Sequence, residues 1–328
     1  MRVGQLNAIL GFTILVLLVA GLMLGETRLS LEQYRQAWLD PLSGAHDVLF
    51  LIRLPRTAAA LVVGGSLGLA GAVMQGLLRN PLADPGVLGV SAGAGLGAAA
   101  AIALGLAGTT GVVEAAALAA ALATGGVLVV LAARFREPET LILFGVALSA
   151  FLGALTSLVF NLAPSPVTLS EVFAWLLGSV ANRDWADIAR QLPAIVIGLA
   201  LCIYAAPGLL VLTLGEDTAA LSGLPMARLR VAAVAGASLL TGASVAMAGI
   251  VGFVGLAAPH LVRGAVGGDP GRVLAPSALM GGILLIAADI IARVVPTDLE
   301  LKLGVVTALF GAPLFALIAW RAARSWRG

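Results

Sequence analysis

Charged residues are scarce in this sequence. Only 11% of its 328 residues are Asp, Glu, Lys or Arg, whereas 60% are hydrophobic. Soluble domains carry about 25% charged residues, so this composition excludes an ordinary soluble domain and predicts a polytopic protein of the lipid bilayer. The formal net charge of +2 is too small to indicate a nucleic-acid partner.

Lysine, cysteine and histidine are almost missing. The only lysine, Lys302, is not part of a Gly-Lys-Ser/Thr sequence, so the chain carries no Walker A phosphate loop. If ATP drives transport here, another subunit must bind it. The single cysteine, Cys202, excludes a disulfide framework within the chain. His46 and His260 lie far apart in sequence, which gives a metal centre little support, and we expect no catalytic residue and no metal.

Long apolar runs are abundant instead. A bilayer core takes about 20 apolar residues per helix, and the chain has runs near 7–25, 57–78, 87–107, 112–133, 140–162, 187–206, 231–253, 256–267, 273–293 and 304–321. The run at 256–267 is the shortest and weakest. We predict an all-α membrane protein with about ten transmembrane helices. The placement of Arg and Lys favours, by a narrow margin, a topology with both termini in the cytoplasm.

A polar interruption separates the second and third runs. It reads Asn80-Pro81-Leu82-Ala83-Asp84-Pro85-Gly86, and the two prolines disfavour a helix through this segment. Non-helical backbone at membrane depth is tolerated where it is buried in protein or lines a water-filled path. Asn80 therefore either caps the next helix or lines a polar path. Gln75, which precedes the interruption, needs a partner helix or a wet cavity.

Glycine spacing and one buried charge predict helix contacts. Gly64-x3-Gly68 and Gly93-x3-Gly97 are patterns that allow close helix approach. Asp289 lies within an apolar run, where an acidic residue faces a cavity or pairs with a cation. Because Arg293 follows four residues later, we expect an Asp289–Arg293 ion pair.

Two segments of the sequence also resemble each other. Gly64, Gly71, Pro81 and Gly86 recur 178 residues later as Gly242, Gly249, Pro259 and Gly264. An odd number of spans separates the copies, so the pattern predicts an inverted repeat of the kind found in transporters, with halves at 53–162 and 228–321 of a single domain, 1–328. Chance similarity between two Gly- and Ala-rich segments is the other explanation. The repeat places a second break at residues 258–263.

Several motifs resemble one family. RLPR at 53–56, GAVMQGLLRNPLADPGVLGVSAGAG at 71–95, GFVGLAAPHLVR at 252–263 and GVVTALFGAPLF at 304–315 are similar to FecCD-type permeases. These are the membrane subunits of type II ABC importers for iron-siderophores, haem and cobalamin. The resemblance covers nearly the whole chain, although Lys302 stands where the family usually has proline.

The resemblance implies partners. It predicts an inner-membrane permease that pairs with a second copy or a close paralogue. Two ATPase subunits would bind ATP and Mg on the cytoplasmic side, and a periplasmic substrate-binding protein would dock on the other. The chain would be no enzyme and would hold no cofactor. Among bulky metal chelates we favour an iron-siderophore, then cobalamin, then haem.

The resemblance also implies three groups of site residues. Docking of the binding protein would use Arg53, Arg56 and Arg293. The gate and translocation path would include Asn80, Leu82, Pro138, Glu139 and Thr140. Cytoplasmic coupling helices at 214–227 would contact the ATPase through Glu216, Asp217, Ala220, Ser222, Gly223 and Leu224.

An ion-coupled secondary transporter is the alternative, since such proteins also use inverted repeats and broken helices. It would need a buried coupling site, for which Asp289 is the only good candidate.

Overall fold

The computed structural model describes residues 2–25, 27–135, 137–221, 223–295 and 300–325. The α-helices in these ranges are α1 Val3–Met23, α2 Leu31–Leu39, α3 Gly44–His46, α4 Leu54–Leu78, α5 Val90–Ala103, α6 Val112–Arg134, α7 Pro138–Asn161, α8 Pro166–Leu176, α9 Trp185–Leu212, α10 Glu216–Leu221, α11 Met226–Ala248, α12 Val254–Arg263, α13 Pro270–Val294 and α14 Leu303–Ser325. A π-helical segment, Asp47–Arg53, joins α3 to α4, so that one continuous helix runs from residue 44 to residue 78.

Each of the ten predicted apolar runs coincides with a helix. Seven helices in the described part of the chain are long and apolar enough to cross a membrane. The other three runs fall on α5, on the ten-residue α12 and on α14, whose described apolar part is Leu303–Leu314. The prediction of an all-α, multi-pass membrane fold is confirmed.

Helices α4 and α11 form the centre of the bundle. Their most apolar windows are 78% and 83% buried, against 22% for α1 and 11% for α7. Small residues explain the difference, because a Cβ atom at Gly64 or Gly68 would collide with the backbone carbonyls of Gly281 and Ser277 in α13. Gly93 and Gly97 likewise leave room for α6. Both predicted small-residue patterns therefore mark close helix contacts.

The packing of the helices shows the internal repeat directly. The contact of α4 with α13 is mirrored by that of α11 with α6, and the contact of α5 with α6 by that of α12 with α13. The pairs α5–α7 and α4–α12 are mirrored by α12–α14 and α11–α5. Each of these four helix pairs becomes its counterpart when α4, α5, α6 and α7 are exchanged, in that order, with α11, α12, α13 and α14.

The predicted register of the repeat and its second break were wrong. The register placed Gly93 of α5 opposite Gly271 of α13, whereas the packing relates α5 to α12. The ungapped comparison failed because a long connection, residues 79–89, follows α4, while only residues 249–253 separate α11 from α12. Residues 258–263 lie inside α12, and the break falls at 249–253, where Phe253 has a left-handed φ of 66°.

Candidate functional site

A buried ionic cluster lies where α4 leaves the π-helical segment. Asp289 of α13 is 0% exposed. Its Oδ1 accepts a hydrogen bond from Arg56 Nε at 2.9 Å, and its Oδ2 pairs with Arg293 Nη2. Arg56 pairs with Glu300 as well. The predicted Asp289–Arg293 pair is confirmed, and Arg56 is a second cation on the same carboxylate.

Two arginines of this region also donate hydrogen bonds to the last carbonyl groups of α1. The last carbonyls of a helix have no partner within it. Arg293 Nη1 donates to the Gly21 carbonyl at 2.9 Å, and Arg53 Nη1 donates to the Leu22 carbonyl at 2.7 Å. Arg53 also donates to the hydroxyl of Tyr34 at 3.3 Å. With 5% and 7% exposure, Arg53 and Arg293 are engaged within the chain and join α1, α4 and α13.

A cavity of about 260 Å³ opens beside the cluster, and its lining includes Thr27, Arg53, Arg56, Arg293 and Glu300. In this lining Arg56 and Arg293 pair with carboxylates, whereas Arg53 donates to backbone carbonyls. Among the described residues, Nε of the buried Arg293 has no hydrogen-bond partner. Three arginine side chains therefore meet at one cavity at this end of α4.

The opposite end of α4 is an irregular turn, as predicted. Arg79 ends the helix with a left-handed φ of 48°. Asn80 Oδ1 accepts from the Leu82 N–H at 2.9 Å, and Asp84 Oδ1 accepts from the Gly86 N–H at 2.7 Å. Both are local turns of the kind that Asn and Asp favour. Asn80 does not cap the next helix, because the N-cap of α5 is Gly89.

The electrostatics of this turn centre on Asp84. Desolvation raises the pKa of Asp84 above its ordinary value, and hydrogen bonds from the backbone N–H groups of Gly86 and Val87 act in the opposite direction. Leu82 is 46% exposed at the tip of the turn. The turn therefore exposes the apolar side chain of Leu82, while the carboxyl group of Asp84 accepts a hydrogen bond from the backbone of the turn itself.

Gln75 links this end of α4 to α12. Pro259 has no N–H, so the carbonyl of Gly255 lacks the usual partner four residues on. Gln75 Nε2 donates to that carbonyl at 3.4 Å, and Arg263 Nη2 donates to Gln75 Oε1 at 2.6 Å. Gly71 lies against the same carbonyl without a side chain in the way. The amide thus replaces the missing hydrogen bond and explains how a proline persists inside α12.

The second predicted gate segment lies near the first. Pro138, Glu139 and Thr140 form the first turn of α7, with Pro138 at a position where its missing N–H costs nothing. Pro138 lines a small cavity together with Leu77 and Leu78 at the end of α4. The fold therefore brings Pro138 to the end of α4 that leads into the 79–89 turn, although the two are far apart in sequence.

The predicted coupling segment contains one short helix, α10, followed directly by α11. Gly215 and Gly223 flank α10 with left-handed φ values of 99° and 81°. Leu214 and Leu221 are 68% and 89% exposed, whereas the partly buried Leu224 packs on the core. Ser222 lies outside the described residues, as do the side chains of Glu216, Asp217 and Ala220. The segment offers exposed apolar side chains between two helices of the bundle.

The comparisons with known proteins agree with this architecture. The family model described as the FecCD transport family matches residues 13–321. The chain belongs to the FecCD transport family. A solved inward-facing structure, described as a metal-chelate type ABC transporter, superimposes with a TM-score of 0.86 at 31% identity and covers 97% of this chain and 99% of that one.

Relatives of this FecCD protein carry informative names. The ABC transporter permease protein YvrB of Bacillus subtilis, itself uncharacterized, is 39% identical over 97% of this chain and 94% of its own length. The vitamin B12 import system permease BtuC of Salmonella paratyphi A is 40% identical, covering 92% and 94%. The cobalamin import permease BtuC of Halobacterium salinarum is 42% identical, covering 83% and 73%. The chain is thus a permease of the ABC transporter type.

Sequence reasoning missed two contacts in this FecCD protein. The Arg56–Asp289 pair joins residues on helices far apart in the chain, and no sequence spacing signals it. The Gln75–Gly255 contact had a signal, since a proline inside an apolar helix frees the carbonyl four residues earlier. A buried amide on a neighbouring helix is a natural donor to such a carbonyl.

Proposed function

We propose that this chain is the membrane-spanning subunit of an ATP-driven importer that carries a bulky metal chelate into the cytoplasm by alternating access. Two copies, or this chain and a close paralogue, would enclose the path. The observation that carries the proposal is the family match over residues 13–321. The missing phosphate loop is consistent with it, because ATP would then be bound by partner ATPases.

Cobalamin is the first cargo to test. Sequence motifs alone favoured an iron-siderophore, but they discriminate poorly, since a path with weak contacts leaves few identifying residues. The relatives at 40% and 42% identity are named for vitamin B12 or cobalamin import. An iron-siderophore is the second candidate and haem the third.

The geometry supports distinct jobs for the two ends of α4. At the ionic end, the cavity lined by Arg53, Arg56 and Arg293 would receive carboxylates of a binding protein. Arg56 is the best placed of the three, because it is the least buried of them and its partner Glu300 is itself partly exposed. The cavity beside it gives a route for an incoming side chain.

At the other end, the neighbouring 79–89 and 138–140 segments would form the inner gate. The side-chain hydrogen bonds of Asn80 and Asp84 are made within the 79–89 turn, so these bonds would move with it. The coupling segment at 214–227 would seat in a groove of the ATPase through residues such as Leu214 and Leu221, whose exposed side chains suit a protein partner.

An ion-coupled secondary transporter is the weaker proposal. Its best candidate coupling group, Asp289, is held between Arg56 and Arg293. Both of its carboxylate oxygens are engaged by guanidinium groups of this chain. A carboxylate held in this way is poorly placed to bind and release a coupling ion.

Reconstitution tests the proposal. The chain would be placed in liposomes with its partner ATPase and binding protein. Uptake of labelled cobalamin and of a ferric siderophore would then be measured. We expect uptake that needs ATP and stops when the Walker A lysine of the ATPase is replaced. Uptake by the chain alone along an ion gradient would overturn the function, whereas ATP-driven uptake of the siderophore only would overturn the cargo.

A further inference from the structure

The segment between α1 and α3 carries large apolar side chains that the rest of the chain leaves uncovered. On α2, Leu31 is 89% exposed, Trp38 73% and Leu39 70%, and Leu42 just beyond the helix is 94% exposed. A cluster of large exposed apolar residues marks an interaction surface rather than ordinary protein surface.

The sequence of α2 separates its faces. Leu31, Trp38 and Leu39 are spaced by seven and eight residues, which places them on one side of the helix. Gln33 and Gln36 lie on another side and are exposed. The helix is therefore amphipathic in its solvent-exposed part, with one apolar and one polar side.

Hydrogen bonds hold α2 on the ends of two spanning helices. The fully buried Ala37 marks its contact with the bundle. Tyr34 donates from its hydroxyl to the carbonyl of Met23, the last residue of α1, at 3.0 Å. Nδ1 of His46 lies 2.9 Å from the Ala37 carbonyl, at the start of the helix that continues to residue 78. The helix is thus fixed at the level where these two spans end.

The exposed apolar surface of α1 reaches this same level. Val19, Met23 and Leu24 are 48%, 57% and 43% exposed on a helix whose apolar window is only 22% buried. In a membrane protein such a surface faces lipid. Because Tyr34 bonds to the carbonyl of Met23, α2 lies at the end of this surface.

We propose that α2 is an interfacial anchor whose Leu31, Trp38, Leu39 and Leu42 insert into the boundary between headgroups and acyl chains, in the leaflet at the Arg53 end of α4. Tryptophan is enriched at this depth, and amphipathic helices bury their apolar face about 5–10 Å into it. The partner is the bilayer itself, so the inference depends on neither cargo nor ATPase.

One charged residue on the apolar side fits this placement. Arg35 lies between Leu31 and Leu39 around the helix and pairs with Glu32 at 3.4 Å. Arginine side chains commonly bury their stem and extend the charged group toward water or headgroups. Arg35 is therefore compatible with a helix that lies flat in the interface.

Spin-label accessibility tests the anchor. Single cysteines would replace Leu39, Leu42 or Gln36 in a Cys202→Ala background of the full chain, in vesicles of phosphatidylethanolamine and phosphatidylglycerol. Labels at 39 and 42 should collide mainly with oxygen, which concentrates in lipid. The label at 36, the matched control on the same helix, should collide mainly with a water-soluble nickel chelate.

Three results would overturn the anchor. Labels at 39 and 42 that prefer the nickel chelate would place this side in water. Labels shielded from both reagents would mean that a second copy covers it. Labels that are water-accessible in the chain alone and become shielded only when the binding protein is added would assign the surface to that protein.

A second measurement uses Trp38 without any label. Brominated lipid quenches tryptophan fluorescence at short range. The absolute fluorescence intensity lost to quenching should be smaller in Trp38→Phe than in the parent chain, because one of the five tryptophans no longer contributes. An equal loss of intensity would show that Trp38 does not reach the lipid.

Discussion

The two ends of α4 are held by different chemistry. At one end, Arg53, Arg56, Asp289 and Arg293 combine buried ion pairs with hydrogen bonds to the carbonyls of α1. At the other end, the neutral Gln75 holds α12, and the chain then enters turns with only local hydrogen bonds. Removing one partner of a buried ion pair costs about 3–5 kcal/mol, against about 1–3 kcal/mol for leaving a buried neutral group unsatisfied. By this comparison the interactions at the first end cost more to remove than those at the second.

The largest expected effect is at the ionic end. Asp289→Asn leaves Arg56 and Arg293 without their shared carboxylate, and we expect a loss of stability of about 3–5 kcal/mol. Unfolding of the purified chain in detergent measures it. Glu32→Gln is the control, since it breaks an exposed pair with Arg35 and should leave stability unchanged. An Asp289→Asn variant as stable as the parent would remove the distinction between the two ends.

A smaller effect is expected at the neutral end. Gln75→Leu leaves the Gly255 carbonyl and Arg263 without a partner, at a cost of about 1–3 kcal/mol. Amide hydrogen exchange within 254–263 should become faster, and uptake should fall while docking of the binding protein is retained. Gln75→Glu keeps an acceptor for Arg263 but loses the donor to Gly255, so exchange should still be faster there. Unchanged exchange in both variants would show that the amide does not hold α12.

The smallest expected effect is at Glu300, which would compete with a carboxylate of the binding protein for Arg56. Glu300→Gln frees one side of that guanidinium, so a carboxylate of the binding protein should bind more tightly, by a few-fold. Affinity for the immobilised binding protein measures it, with Arg56→Gln expected to weaken binding. Weaker or unchanged binding of Glu300→Gln would take Arg56 out of the docking surface and leave the cluster a purely structural role.

Local patterns predicted the fold and part of the site. Runs of about 20 apolar residues identify helices because lipid leaves no other way to satisfy the backbone. Gly64-x3-Gly68 predicted a close contact because backbone approach needs a missing side chain. The Asp289–Arg293 pair followed from helical geometry, since residues four apart share a face.

The register of the repeat could not be found in the same way. Matching letters at a constant offset assumes equal connections, and the connections after α4 and α11 differ in length. Pro81 and Pro259 therefore matched in sequence while one lies in a turn and the other inside a helix. Docking, gating and coupling roles stay predictions, since they depend on partners that the chain alone does not contain.

By itself the sequence determined that this chain enters a membrane, which segments form its apolar helices, and that it cannot bind ATP through a phosphate loop. These properties are local, because each depends on residues close together along the chain. The tertiary structure decided which buried groups meet. Arg56 reaches Asp289 and Gln75 reaches Gly255 only because α4 packs on α13 and α12. A buried charge or a proline-freed carbonyl requires a partner, but its identity depends on which helices become neighbours.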